Sequence, residues 1–101
     1  MKKIVDIKKE FSVMDEHLEQ AKKDLKEMVK FRSRLREISK NIKTLEEFYH
    51  SEDWLDDRDT LHENLTGTEY YESAGEDPIW IVSQEFYEQK IKLLKQLAKE
   101  L

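Results

Sequence analysis

The chain is 101 residues long, 38% hydrophobic and 41% charged, with two Gly, one Pro and no Cys. That length holds one domain with a modest core and excludes a cofactor domain beside a substrate domain, while the absence of cysteine excludes disulfides, thiolate metal sites and cysteine nucleophiles. The net charge of −5 is unevenly spread: residues 1–44 carry 13 Lys/Arg against 8 Asp/Glu, residues 45–77 carry Arg58 alone against 12 acids, and residues 78–101 carry 4 Lys against 3 Glu.

A basic arm therefore precedes a strongly acidic middle, an asymmetry that bears on partners rather than on fold. High charge with so little Gly and Pro points to long, solvated helices. The start, MKKIVDIKKEF, has no apolar run of signal-peptide length behind its lysines, and no later run is long enough to span a bilayer. A cytoplasmic placement away from membranes is the expectation.

From Ile4 the apolar positions run Ile4, Ile7, Phe11, Met14, Leu18, Ala21, Leu25 and Met28, spaced alternately by 3 and 4. This is a heptad a/d seam sustained over four repeats, and it predicts a helix over about residues 3–30. After Met28 the series resumes as Phe31, Leu35, Ile38, Ile42, Leu45 and Tyr49, equally regular but displaced by three residues. A stammer inside one continuous helix would absorb the displacement; a reversal would set the two seams face to face as an antiparallel hairpin. One helix from 3 to 50 would be about 70 Å long at 1.5 Å per residue, with nothing else in the chain long enough to cover its seam. The hairpin, bent within 29–34, is the favoured reading. A second candidate break lies at Ser39 to Thr44, where Thr44-Leu-Glu-Glu47 has a capping-box pattern.

The stretch Leu45 to Asp59 sets Phe48, Tyr49 and Trp54 beside Glu52, Asp53, Asp56, Asp57 and Asp59. A bend at His50 or Ser51 is predicted, then a short acidic helix to about Asn64, with Ser51 as cap and Glu52 and Asp53 in the first turn, where the helix dipole favours negative charge. Trp54, Leu55, Leu61 and Leu65 are its predicted buried residues. Residues 66–77 hold both glycines and form the one clear loop. Asp77-Pro78 opens the last helix, about 78–100, with Asp as N-cap and Pro in the first turn. Its stripe is Trp80, Tyr87, Ile91, Leu94, Ala98 and Leu101, widened by Ile79, Val82, Phe86, Leu93 and Leu97. The predicted fold is thus all-α: a single domain over 1–101, an antiparallel bundle of three main helices with a short acidic helix and one loop before the last helix.

Few residues suggest chemistry. On one helix Asp53 and Asp57 would share a face with His50, a spacing a cation could use, but surface acids are far commoner than metal sites and no EF-hand pattern is present, so neither metal nor cofactor is expected. There is no phosphate-binding Gly-rich loop, no HExxH and no supported Ser/His/Asp grouping, so no enzyme is expected. The basic run Lys30, Arg32, Arg34 and Arg36 has interleaved acids and no aromatic residue placed to stack on bases; it reads as a solvated helix face, not a nucleic-acid site. The acidic middle is more telling. Twelve acids in 33 residues could occupy a partner's basic groove, as nucleic-acid mimics do, and aromatics beside acids are hot-spot material. The predicted partner-binding residues are Glu52, Asp53, Asp56, Asp57, Asp59, Tyr70 and Tyr71, while Leu45, Phe48, Tyr49 and Trp54 read as core.

Leu45-Glu-Glu-Phe48-Tyr49-His-Ser51-Glu-Asp-Trp54-Leu-Asp-Asp57 resembles the signature of a family of short bacterial helical proteins of unknown function, in which a leucine, two aromatics, a serine, a tryptophan and an aspartate follow at these spacings. Glu76-Asp77 before Ile79-Trp80 is similar to that family's acidic pair opening its last helix. Glu72-Ser-Ala-Gly75 departs from the family's Gly-Val-Leu-Ser-like run. The resemblance covers the second half of the chain and implies a small helical fold without implying an activity. From the residues, the leading expectation is a small acidic inhibitor or immunity-type protein that docks on a larger protein through its acidic middle. The alternative is a coiled-coil structural or adaptor protein that oligomerises through its heptad seam, for instance as a homodimer.

Overall fold

A computed structural model describes residues 1–101. The chain is all-α, with helices α1 (Ile4–Tyr49), α2 (Trp54–Glu63) and α3 (Pro78–Glu100) and a single 3-10 turn at Glu72–Ala74. It divides into two units, Met1–Glu37 and Ile38–Leu101.

In the first unit α1 passes through residues 29–34 without a break, so the predicted reversal does not occur. The reason is local: no Gly or Pro lies anywhere in 4–49, and a three-residue displacement of the apolar series can be absorbed within a helix. Exposed side-chain pairs along the helix surface contribute a few tenths of a kcal/mol each: Lys22 to Glu19 at 3.3 Å, Arg34 to Glu37 at 3.1 Å, and Gln20 to Asp24 at 2.9 Å. The seam that a hairpin would have covered stays in water. No residue of α1 is buried, and Ile4, Phe11, Met14, Leu18, Leu25 and Met28 are 54% to 67% exposed.

The second unit gathers the last turns of α1, then α2, the 3-10 turn and α3 around three buried side chains, Trp54, Ala74 and Ile79, at 8%, 6% and 5% exposure. Ile38, Ile42, Leu45 and Tyr49 are partly covered, so this continuation of the apolar series does pack. The predicted break at Ser39 to Thr44 is absent because the Thr44 hydroxyl donates to the Lys40 carbonyl at 3.0 Å, satisfying itself within the helix instead of capping a new one. The bend after Tyr49 is present as a turn over His50 to Asp53. Ser51 closes α1 instead of opening α2: its hydroxyl donates to the Phe48 carbonyl at 2.8 Å, and the N-cap of α2 is Asp53. Trp54 is buried and Leu61 and Leu65 partly so, but Leu55 is exposed.

The loop contains the 3-10 turn, which the Gly and Ser content concealed. Gly67 has φ 61, a left-handed conformation that glycine adopts without a Cβ penalty. Gly75 faces a different constraint, since a Cβ there would lie 3.1 Å from Pro78 Cδ and 3.2 Å from the Glu72 carbonyl. Helix α3 begins as predicted, with Asp77 as N-cap and Pro78 in the first turn. Its packed side is the predicted edge of the stripe: Ile79 is buried and Phe86 and Leu93 partly covered, whereas Trp80, Tyr87 and Leu94 face water. The Ser83 hydroxyl donates to the Glu46 carboxylate and ties α3 to the end of α1.

Candidate functional site

Two surfaces stand out, one in each unit. In the first unit the seam of α1 is an exposed apolar stripe. Its flanking heptad positions carry Lys3, Lys8 and Lys22 with Glu10, Asp15 and Asp24, an even balance of signs beside an apolar stripe.

In the second unit the predicted contact residues lie on one short stretch. Glu52 and Asp53 sit in the turn before α2, Asp56 and Asp57 in its first turn, and Asp59 one turn on. All five are exposed, and none takes part in an ion pair. The helix dipole favours Asp56 and Asp57 where they stand. The predicted alignment of His50 with Asp53 and Asp57 fails, because it requires one continuous helix and the chain turns between them; no cluster of His, Asp and Glu suited to a metal forms anywhere. Tyr70 and Tyr71 are 79% and 51% exposed, and Tyr71 reaches the neighbourhood of α2.

There Tyr71 lines a shallow groove of about 240 Å³ with Phe48, Trp54, Arg58, Leu61 and Ala74. The groove is built on Trp54. Its ring centroid is 4.9 Å from that of Tyr49, at a 54° tilt, and the Arg58 guanidinium carbon lies over the ring, 5.6 Å from its centroid. A cation over an indole face is attracted by the ring quadrupole, and more strongly when partly desolvated. Arg58 also donates from Nη1 to Glu76 Oε1 at 3.2 Å, joining α2 to the segment before α3, while its Nε is buried without a hydrogen-bond partner. Phe48 is half exposed and Tyr49 partly covered, so of the predicted aromatic core Trp54 alone is buried.

Sequence reasoning missed Arg58, Glu76 and Ala74. Arg58 had a signal: it is the one base among 12 acids in residues 45–77, and a lone base in such a field is held by its neighbours. Ala74 had none, since a buried alanine in a 3-10 turn looks like any loop residue.

No helix is long and apolar enough to cross a membrane. A family model described as "Domain of unknown function (DUF4298)" matches residues 11–99. No curated protein and no solved structure matches the chain.

Proposed function

The chain belongs to the DUF4298 family, and from its surfaces we propose that it is a non-enzymatic protein-binding module that works by helix pairing through the seam of α1. The single observation that carries this reading is the uncovered a/d stripe between Ile4 and Met28. Monomers seldom leave an apolar patch of this extent in water, and a seam of 3 and 4 spacing is shaped for another helix. Burying one such side chain fully is worth about 1.5–3 kcal/mol, so a paired helix gains far more from the seam than from the exposed ion pairs, each worth well under about 1 kcal/mol.

A second reading is supported by a different observation, the five unpaired and exposed carboxylates of Glu52, Asp53, Asp56, Asp57 and Asp59. They suit an acidic, inhibitor-type contact with a basic groove on a larger protein, in which case Tyr70 and Tyr71 flank the contact. One experiment separates the two. Affinity capture from native lysate with the unaltered chain, with Leu18→Asp/Leu25→Asp and with Asp53→Lys/Asp56→Lys/Asp57→Lys is expected to lose its captured species in the seam variant and keep them in the acid variant. Loss in the acid variant alone, with a salt-dependent interaction, transfers the function to α2. Equal capture by all three chains removes both readings.

A further inference from the structure

Apart from the α1 seam, and resting on the acidic-contact reading of the second unit, we infer that the groove over Trp54 seats one large apolar side chain of a basic polypeptide segment, with Lys or Arg on either side of that anchor. The floor of the groove is the buried pair Trp54 and Ala74, and its walls are Phe48 at the end of α1, Leu61 on α2 and Tyr71 before the 3-10 turn. Phe48 and Tyr71 are each 51% exposed, so these two rings offer a face to a newcomer while Trp54 stays packed. Aromatic walls around an apolar floor are what interface anchors fill. Size excludes most other occupants. Drug-sized ligands take about 300–1,000 Å³, whereas this groove is shallow and holds about 240 Å³. That is room for a single side chain such as leucine or methionine, presented by a chain that continues past it on both sides.

Charge selects what flanks the anchor. Asp57 lines the groove from the α2 side, and its N–H donates to the Asp53 carbonyl at 2.8 Å, which sets Asp53 one turn before it. On the side of the 3-10 turn, Glu72 follows Tyr71 directly. The side chains of all three are exposed, and none is in an ion pair. Both sides therefore carry free negative charge. The one cation on the lining, Arg58, is already held by Glu76 at 3.2 Å and by the Trp54 ring, and no lysine lines the groove. A nucleic acid, an anionic lipid surface or an acidic peptide would be repelled here, and a neutral apolar peptide would leave the carboxylates unanswered. Lysine or arginine before and after the anchor meets them and steers the encounter.

The test uses the full chain as Trp80→Phe, which leaves Trp54 as its sole tryptophan, so that a change in Trp54 emission reports occupancy of the groove. The probe is a short synthetic peptide with a central leucine, a pair of lysines before it and a pair of arginines after it. It is compared with the same peptide bearing serine at the centre and with one bearing glutamate in place of every base. The leucine peptide is expected to saturate the signal, the serine peptide to bind at least about tenfold more weakly because a buried leucine is lost, and the glutamate peptide not to bind. Phe48→Ala/Tyr71→Ala and Asp53→Lys/Asp57→Lys should each weaken the leucine peptide by about tenfold or more with helical ellipticity unchanged. Asp15→Lys/Glu16→Lys makes the same charge change outside the groove and should leave binding within about twofold. Equal affinity for the leucine and serine peptides overturns the anchor groove; if salt and Asp53→Lys/Asp57→Lys still weaken both, the acidic contact stands without it. Equal affinity for the leucine and glutamate peptides, or a Trp54 emission unmoved by every peptide, overturns the proposal. Equal weakening by Asp15→Lys/Glu16→Lys overturns it too, since the attraction would then be that of net charge alone. The peptide series needs no altered groove, so it decides even where a variant loses its fold.

Discussion

Replacing Trp54 by alanine is expected to cost the second unit about 3–5 kcal/mol, the range for truncating a buried large aromatic, and so to remove most of its stability. This unit buries three side chains, Trp54, Ala74 and Ile79, and only the first is large. The indole also supplies the surface on which Tyr49 packs and over which Arg58 lies. Without it the end of α1, the turn over 50–53 and α2 lose their common contact, and the Arg58 cation loses a partner while part of it remains desolvated. Domains are typically stable by about 5–15 kcal/mol in total, and one with so small a core sits at the lower end. Urea unfolding followed by Trp80 fluorescence and by circular dichroism measures the loss. Leu55→Ala serves as control: that side chain is 55% exposed, and its removal should change stability by less than about 0.5 kcal/mol. Equal midpoints for the two variants would mean that Trp54 does not organise the unit.

Ser33→Pro carries the second large effect. Residue 33 lies in the middle of the stretch where the apolar series shifts, and the chain there is helical with no interruption. Proline in a helix interior removes a backbone hydrogen bond and clashes with the preceding turn, at roughly 3 kcal/mol. Nothing buried in α1 compensates, so a marked fall in far-UV ellipticity at low protein concentration is expected, together with weaker association. A hairpin bent at 29–34 would take the same proline in its turn and lose little. Unchanged ellipticity would therefore sink the continuous helix.

These two positions also show how far the residues alone could be read. The end of α1, the start of α3 and the existence of α2 were legible because each has a chemical marker: Ser51 after an apolar series, Asp77-Pro78, and acids grouped in a first turn. The continuity of α1 was not. A three-residue displacement is compatible with a turn and with a stammer, and the cost of a bare seam in a small protein favours the turn. The costly state is the one the chain adopts, and it is intelligible if the seam is completed from outside the chain. In the acidic middle the exposure of Glu52, Asp53, Asp56, Asp57 and Asp59 followed from their charge. The lack of a shared face between His50 and the aspartates did not, since it depends on where the helix is interrupted by a residue or two. Periodicity puts Ile79 at the edge of its stripe, because it locates a face without saying which part of it meets a neighbour.

The clamp on Arg58 has a consequence for turnover. A protease that cuts after basic residues finds plentiful targets in residues 1–44, on a helix with no buried residue, but in the 33 residues that follow it finds only Arg58, whose guanidinium is held between an indole face and a carboxylate. Cleavage there must wait for the Trp54 cluster to open, so its rate follows the opening equilibrium of the second unit. In the unpaired chain the same enzyme would therefore cut the pairing arm before the acidic middle.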